Sequence, residues 1–375
     1  MKFADVIGHE EIKAVLRRSV DEGRISHAQI FSGECGWGVL PLALAYAQYV
    51  NCTNRHDGDS CGECPSCRKS AELMHPDVHY FYPYNVPDKE SSAVATYLER
   101  WRKIIGTTGG YFGEQEWYDE IKMGNKQGLI SRGDANEIIK KLSYKSFEAE
   151  YKIVIIWLPE RMNASSANTL LKILEEPWDK TLFLMVSQSP QSLLPTIISR
   201  VQQTEVPRID EDSLCRQAEL LGADRDRAVA AAHMADGDLI MLRRIMSGEQ
   251  VANENFERFA SLMRLCYADK HLELMEWADM LSKATREEQK EFFEYSLGML
   301  RECYMISAGL EKIGYLWGEE KVFGKRFAPF IGNHNIELFV DEMEKALFHI
   351  KQNGNAKIVL THFVLSVSKY IVRKK

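Results

Sequence analysis

The chain of 375 residues has no long hydrophobic run and no surplus of basic residues. No apolar stretch reaches the roughly eighteen residues of a membrane-spanning helix, and the first residues form no signal-like apolar segment, so we expect a cytoplasmic protein that contacts no membrane. Asp and Glu outnumber Lys and Arg by 54 to 47, and the formal net charge is −7. Since phosphate neutralisation requires clustered Lys and Arg, this balance argues against a protein whose main task is to bind nucleic acid.

A glycine-rich loop near the start of the chain lacks the two polar side chains of a nucleotide site. It reads Gly-Glu-Cys-Gly-Trp-Gly-Val-Leu and keeps the spacing of the phosphate-binding motif G-x-x-x-x-G-K-[ST]. Val39 stands where the motif has Lys, and Leu40 stands where it has Ser or Thr. Val donates nothing to the outer phosphates, and Leu offers no ligand to Mg²⁺. The glycines Gly33, Gly36 and Gly38 therefore predict a degenerate phosphate loop, with no functional ATP site and no ATPase activity of the isolated chain.

The segments around this loop favour a phosphate loop over an ordinary turn. Apolar Ile30-Phe31 precedes it, and residues 39–50 form an apolar run that suits a buried helix. A strand, a glycine loop and a helix in this order are the context in which the motif occurs. The sequence thus predicts the backbone of a nucleotide site without its chemistry.

A second part of a hydrolytic site is also missing. Residues 152–157 read as a strand buried on both faces of a parallel sheet. In nucleotide-hydrolysing proteins of this architecture such a strand ends with an acid that holds Mg²⁺. This strand ends Trp157-Leu158-Pro159, and Glu160 arrives late, so we expect its carboxylate to face elsewhere.

Four of the eight cysteines form a compact cluster with the spacing C-x8-C-x2-C-x2-C. Thiolates at C-x2-C spacing can reach one tetrahedral ion, and a second pair completes its coordination, so we predict a closed, structural Zn²⁺ site. The predicted ligands are Cys52, Cys61, Cys64 and Cys67. Disulfides are the alternative, but cytosolic chains rarely keep them. One of the neighbouring histidines could replace a cysteine; these are His56, His75 and His79.

Alternating strand-like and helical segments up to about residue 208 predict a doubly wound parallel sheet. From about residue 249 only helical patterns remain, as in a helical bundle. Within the segment 336–350, the spacing places four apolar residues near one buried face. They are Leu338, Met343, Leu347 and Ile350.

Several stretches together resemble a known family, the bacterial clamp-loader subunits of DNA polymerase III, and most of all the delta-prime subunits. The likeness is dense over residues 1–82 and 130–208, moderate over 209–249 and faint beyond. Besides the loop and the cysteines, it depends on Phe-Ala-Asp-Val-Ile-Gly-His-Glu (3–10), Gly-Arg-Ile-Ser-His-Ala (23–28), Ser-Ala-Asn-Thr-Leu-Leu-Lys-Ile-Leu-Glu-Glu-Pro (166–177) and Ile-Ser-Arg (198–200).

The resemblance implies an α/β P-loop module of the AAA+ type, a small helical lid and an all-α collar domain for oligomerisation. The corresponding boundaries are 1–208, with the zinc loop at 52–67 and an insertion at about 84–129, then 209–249 and 250–375. In that family the motif Ser-Arg-Cys gives an arginine finger to the ATP of the neighbouring subunit. Here Ser199 and Arg200 match the motif, while Val201 replaces the cysteine.

The resemblance further implies a non-hydrolysing subunit that helps to load the sliding clamp on primed DNA. Its expected partners are the gamma/tau motor subunits and the delta subunit, with the clamp and the primer-template DNA reached through the complex. Two other functions stay open. One is an ATP-hydrolysing motor subunit, against which Val39, Leu40 and Leu158 argue. The other is a zinc-dependent nucleic-acid adaptor, against which the acidic net charge argues.

Overall fold

The computed structural model describes residues 1–85, 92–124, 126–247, 250–310, 316 and 318–371, with the backbone alone at 250–253. The chain divides into two compact units. The first comprises Met1–Leu214 with Asp236–Met241, and the second comprises Cys215–Ala235 with Leu242–Lys375. The lid and collar boundaries inferred from the family resemblance stay a prediction. Within the described ranges, no helix is both long and apolar enough to cross a membrane.

A five-stranded parallel sheet forms the centre of the first unit. The strand order is β2-β3-β4-β1-β5. Strands β3 and β4 are buried along their whole length, because helices cover both faces of such a sheet. The strands are β1 Ala28–Ser32, β2 Val78–Phe81, β3 Lys152–Trp157, β4 Thr181–Ser187 and β5 Gln202–Glu205. The predicted parallel α/β fold is confirmed.

Helices alternate with these strands along the chain. They are α1 Glu10–Asp21, α2 Val39–Val50, α3 Pro65–Ala71, α4 Leu98–Thr108, α5 Glu114–Glu120, α6 Arg132–Ser143, α7 Ala164–Glu175 and α8 Pro195–Ile198. Helix α2 directly follows the glycine loop and is buried at every position, as its uniformly apolar sequence predicts. Helices α4 and α5 belong to the insertion, of which residues 86–91 and 125 lie outside the described part.

Only helices follow β5 in the described chain. They are α9 Glu211–Leu220, α10 Arg225–Ala235, α11 Leu239–Ser247, α12 Gln250–Ala268, α13 His271–Ser282, α14 Arg286–Ser307, α15 Gly318–Phe327, α16 Ile336–Lys351 and α17 Ala356–Val367. Large side chains such as Phe259, Leu300 and Phe363 form the core of the second unit. The predicted helical character of this region is confirmed.

One predicted buried face in this region is wrong in part. Leu338 is 47% exposed, although Met343 and Ile350 on the same helix are buried. The buried face of α16 includes Phe339 and Ala346 instead. Leu338 precedes Phe339 by one residue, which is a rotation of about 100° around a helix, so both cannot point to the same core.

Candidate functional site

The glycine loop connects the end of β1 to the start of α2, and its glycines lie where a side chain would clash or would require an unfavourable backbone conformation. The backbone N–H of Gly33 donates to the carbonyl of Ser187 at the end of β4, and a Cβ at Gly33 would lie 2.6 Å from the carbonyl oxygen of Val206. Gly38, the residue before α2, has φ = +88°, a conformation that L-residues rarely adopt. Val39 and Leu40 are 1% and 3% exposed. The positions of the lysine and the hydroxyl therefore contribute to the hydrophobic core.

The first turn of α2 is covered by the insertion. Tyr111 is 4% exposed, and a Cβ at Gly38 would lie 3.1 Å from its hydroxyl oxygen. That oxygen accepts a hydrogen bond from the backbone N–H of Ile7 at 3.0 Å. Next to it, Gly110 packs closely on the ring of Pro41. A helix N-terminus normally offers free N–H groups to an anion, but Pro41 has no N–H and Tyr111 fills the adjacent space.

A carboxylate packs against the middle of the same loop. A Cβ at Gly36 would overlap the side chain of Asp238, which belongs to the same compact unit. One oxygen of Asp238 also accepts the backbone N–H of Met241 in the first turn of α11. Negative charge at this place repels a phosphate. Sequence reasoning missed Tyr111, Pro41 and Asp238, although the proline in the first turn was a visible signal.

The end of β3 holds a hydrogen-bonded carboxylate. Glu160 accepts from the hydroxyl of Ser187 and from the backbone N–H of Gln188, both at 2.9 Å, and from the backbone N–H of Ser189 at 3.3 Å. The side-chain amide of Gln188 in turn contacts the sulfur of Cys35 in the glycine loop. The expectation that Glu160 follows β3 too late to hold Mg²⁺ stays a prediction. Its carboxylate binds the end of β4.

Aromatic side chains cluster around the last residue of β3. Trp157 packs against Trp101 and Phe112 of the insertion, with ring centroids 5.4 and 5.1 Å apart. Trp101 also stacks on Tyr82 at 4.5 Å and contacts Trp117 at 5.2 Å. These five rings are buried. A dry aromatic cluster thus lies where a hydrolytic site has its metal-binding acids, and the insertion packs on the body of the first unit.

Arg200 lies at the surface just after α8, and its side chain is 31% exposed. Its Nε donates to Oε1 of Glu175 at 2.7 Å, and its Nη2 contacts the same oxygen. Its Nη1 donates to the carbonyl of Thr196 at 2.7 Å and to the hydroxyl of Ser199 at 3.0 Å. Ser199 therefore supports the arginine within the same short segment. The sequence did not indicate that Glu175 pairs with Arg200.

The four clustered cysteines lie together beside α3. All four sulfur atoms are within 4.8 Å of one another. The sulfur of Cys61 is 3.6 Å from that of Cys52 and 3.9 Å from that of Cys67. Tetrahedral coordination with Zn–S bonds of about 2.3 Å requires sulfur atoms about 3.8 Å apart. The donor set and its dimensions therefore fit Zn²⁺.

Backbone N–H groups point at three of these sulfurs. The backbone nitrogen of Cys61 donates to the sulfur of Cys52, that of Cys64 to the sulfur of Cys61, and that of Cys67 to the sulfur of Cys64. The nitrogen–sulfur distances are 3.3 to 3.4 Å. Burial raises the pKa of the Cys64 thiol, but hydrogen bonds from the backbone of Cys67 and from Thr53 outweigh burial and lower its pKa to about 6. The thiolate form, which binds metal, is thereby favoured at Cys64, whereas burial raises the pKa of the Cys52 and Cys67 thiols. The neighbouring histidines lie apart from the cluster; His56 pairs with Asp57, and His75 lies 3.6 Å from Glu148.

A parallel sheet with a glycine loop between β1 and α2 defines an α/β protein with a P-loop-like segment. Residues 8–210, more than half of the chain, match the family model described as "DNA polymerase III, delta subunit". The chain belongs to this family.

Two curated relatives illustrate the similarity. The delta' subunit of DNA polymerase III from Bacillus subtilis is 30% identical over 210 residues, which are 55% of this chain and 51% of that protein. The tau/gamma subunit from Haemophilus influenzae is 26% identical over 212 residues, which are 56% of this chain and 25% of that protein. The chain thus matches only a quarter to about half of these relatives' length.

A solved gamma-subunit-related protein of Thermotoga maritima covers 96% of this chain, and the chain covers 99% of that structure. The sequence identity is 16% and the TM-score is 0.42.

Proposed function

We propose that this chain is a non-hydrolysing, delta-prime-type subunit of the DNA polymerase III clamp loader. In this role it acts with the gamma/tau motor subunits and the delta subunit to place the sliding clamp on primer-template DNA. Membership of the family supports the assembly in which it acts. The glycine loop supports the absence of hydrolysis. Val39 and Leu40 replace the lysine and the hydroxyl residue of the motif, and Tyr111 covers the start of α2.

The loss of hydrolysis follows from what each missing contact contributes. Hydrogen bonds to charged groups are worth about 1.5–3 kcal/mol each, and Val39 and Leu40 can make none to a phosphate or to Mg²⁺. Asp238 adds a negative charge beside Gly36. Together these features disfavour the binding of a nucleoside triphosphate as well as its turnover.

Arg200 is proposed to act on the nucleotide of the neighbouring subunit. A guanidinium that approaches a γ-phosphate across an interface stabilises the charge of the transition state and is worth about 10³–10⁵ in rate. The position of Arg200 after α8, partly exposed to solvent, is compatible with such a contact. A surface arginine with a purely structural ion pair is the alternative.

The cysteine cluster is proposed to hold a structural Zn²⁺. Four thiolates leave no coordination position for water or substrate, so the ion supports the fold and takes no part in a reaction. It would link the segment after α2 to the start of α3.

The proposal is tested by ATP turnover with and without the other subunits. The isolated chain should release no phosphate from ATP. The fluorescence of an ATP analogue should be the same with the chain as in buffer alone. A complex reconstituted with gamma/tau and delta should hydrolyse ATP in the presence of clamp and primed DNA. With Arg200→Ala, turnover at the neighbouring site should fall by about 10³ or more.

Each outcome separates the proposal from its alternatives. Phosphate release by the pure isolated chain would instead identify a motor subunit. Failure to enter the complex, together with zinc-dependent binding to DNA, would identify a nucleic-acid adaptor. Unchanged turnover with Arg200→Ala would eliminate the arginine finger.

A further inference from the structure

The guanidinium of Arg200 is held by groups from two different elements. Thr196 and Ser199 belong to its own short segment around α8 and bind Nη1. Glu175 is the last residue of α7 and binds both Nε and Nη2 through one carboxylate oxygen. Glu175 is therefore the charged partner that fixes the arginine head relative to the sheet domain.

Counting donors shows how completely the head is fixed. An arginine has five N–H donors, one on Nε and two on each Nη. The four hydrogen bonds use Nε, both hydrogens of Nη1 and one hydrogen of Nη2. One hydrogen of Nη2 is left for an outside acceptor, and the pair is partly open to solvent, with Arg200 31% and Glu175 48% exposed.

We propose that Glu175 is a positioning residue for Arg200, and that it holds the guanidinium ready for the triphosphate of a neighbouring subunit. This inference rests on the arginine finger proposed above. An arginine side chain is long and has many rotamers, so a finger without a fixed partner spends little time in the productive orientation. A carboxylate that binds two of the nitrogens from one side keeps the remaining edge of the guanidinium in one orientation.

The negative charge of Glu175 also offsets part of the positive charge of Arg200. This effect by itself would weaken the attraction of Arg200 for the γ-phosphate. Two effects of opposite sign therefore meet at Glu175, and the inference requires that positioning dominates. A misplacement of about 1 Å in a catalytic group can cost on the order of 10²-fold in rate. Screening by solvent reduces the opposing charge effect at a partly exposed pair.

The experiment measures ATP turnover by the reconstituted complex with clamp and primed DNA. The variants are Glu175→Ala, Glu175→Gln, Arg200→Ala and the double variant Glu175→Ala/Arg200→Ala. Glu176→Ala is the matched control, because it removes a carboxylate from the adjacent exposed position at the end of the same helix. Complex formation is checked for each variant by size-exclusion chromatography.

We expect Glu175→Ala to lower kcat by about 10- to 100-fold while KM for ATP stays unchanged, because positioning matters in the transition state. Glu175→Gln should lie between, since its amide oxygen still accepts a hydrogen bond. Glu176→Ala should leave turnover unchanged. The double variant should turn over at the rate of Arg200→Ala, because Glu175 acts only through the arginine.

The results distinguish this inference from the proposed function. If Arg200→Ala leaves turnover unchanged, the arginine finger itself fails. If Arg200→Ala slows turnover but Glu175→Ala leaves it equal or faster, the finger stands and the positioning role of Glu175 is overturned. An additional loss in the double variant beyond Arg200→Ala would likewise contradict action through Arg200.

Discussion

The ring of Tyr111 lies against Gly38, the residue that precedes the first turn of α2. These residues are far apart in sequence, and the contact connects the insertion to the glycine loop. Because the hydroxyl of Tyr111 also accepts the N–H of Ile7, one side chain joins three segments of the first unit. A nucleotide site requires open space and free donors at this place, and here the protein fills the space with its own side chain.

The contact of Tyr111 makes a prediction about stability. Tyr111→Phe removes the acceptor of the partly buried Ile7 N–H and should lower the free energy of unfolding by about 1 kcal/mol, the net contribution of a typical hydrogen bond. Tyr111→Ala also leaves a cavity and should cost about 3–5 kcal/mol. Urea unfolding followed by circular dichroism measures both changes.

Tyr144→Phe serves as the control, because Tyr144 is 59% exposed and an exposed substitution should change stability by no more than about 0.5 kcal/mol. Equal stability of Tyr111→Phe and the wild type would show that the hydrogen bond to Ile7 contributes nothing. Neither variant should gain ATP turnover, since Val39 and Leu40 remain.

Local patterns in the sequence predicted those parts of the fold that depend on neighbouring residues. The apolar segment 39–50 forms α2, and the segment 152–157 forms β3. The four cysteines of the predicted cluster lie close together. Each of these depends on periodicity or spacing within a short segment.

The contacts that close the glycine loop could not be predicted in this way. Tyr111 and Asp238 reach the loop from distant parts of the chain, and nothing in their own surroundings specifies the partner. The same is true of Glu175, which lies 25 residues before Arg200. The error at Leu338 has a different cause, because α16 has apolar residues on more than one side and periodicity alone could not choose the buried one.

The cysteine cluster predicts one bound zinc per chain. Cys67→Ser should abolish zinc binding and should lower the melting temperature. Zinc that is present at a free concentration of about a thousand times its Kd stabilises the folded chain by about 4 kcal/mol. Metal content is measured by atomic emission after dialysis, and stability by thermal unfolding with and without a chelator.

The control for this prediction is Cys266→Ala, a buried cysteine of the second unit, which should keep its zinc. A chelator should lower the melting temperature of the wild type and of Cys266→Ala but not that of Cys67→Ser. If the wild-type protein were equally stable with and without zinc, a structural role of the ion would be excluded.

A buried carboxylate anchors the start of the insertion. Asp134 is 1% exposed and accepts hydrogen bonds from the hydroxyls of Tyr84 and Ser92 at 2.8 and 2.6 Å, and from the N–H and hydroxyl of Ser131. Asp134→Ala should destabilise the first unit by about 1–3 kcal/mol for each buried group that loses its partner.

Limited proteolysis and urea unfolding test this prediction, with early cleavage expected near Tyr84 in the Asp134→Ala variant. Glu137→Ala on the same helix is the control. Glu137 makes a partly exposed ion pair with Lys141 at 3.7 Å, which is worth at most about 0.5 kcal/mol. Similar effects of the two substitutions would argue against the network as an anchor.

His79 on β2 should make the protein less stable in mild acid. Burial, together with the smaller effects of nearby Lys141 and His75 and against the opposing effect of Asp77, lowers the pKa of His79 from the ordinary value of 6.5 to about 4. Between these two values the unfolded chain binds a proton that the folded chain does not. The stabilising contribution is therefore complete above pH 6.5 and is lost as the pH falls towards 4, by at most about 3 kcal/mol.

The measurement is urea unfolding of the wild type and of His79→Gln at several pH values between 8 and 4. Both proteins carry the same cysteine cluster, so any release of metal in acid affects them equally and cancels in the difference. The stability of the wild type relative to His79→Gln should be constant above about pH 7 and should fall steadily below it. A difference that does not change with pH would mean that His79 titrates alike in the folded and unfolded chain.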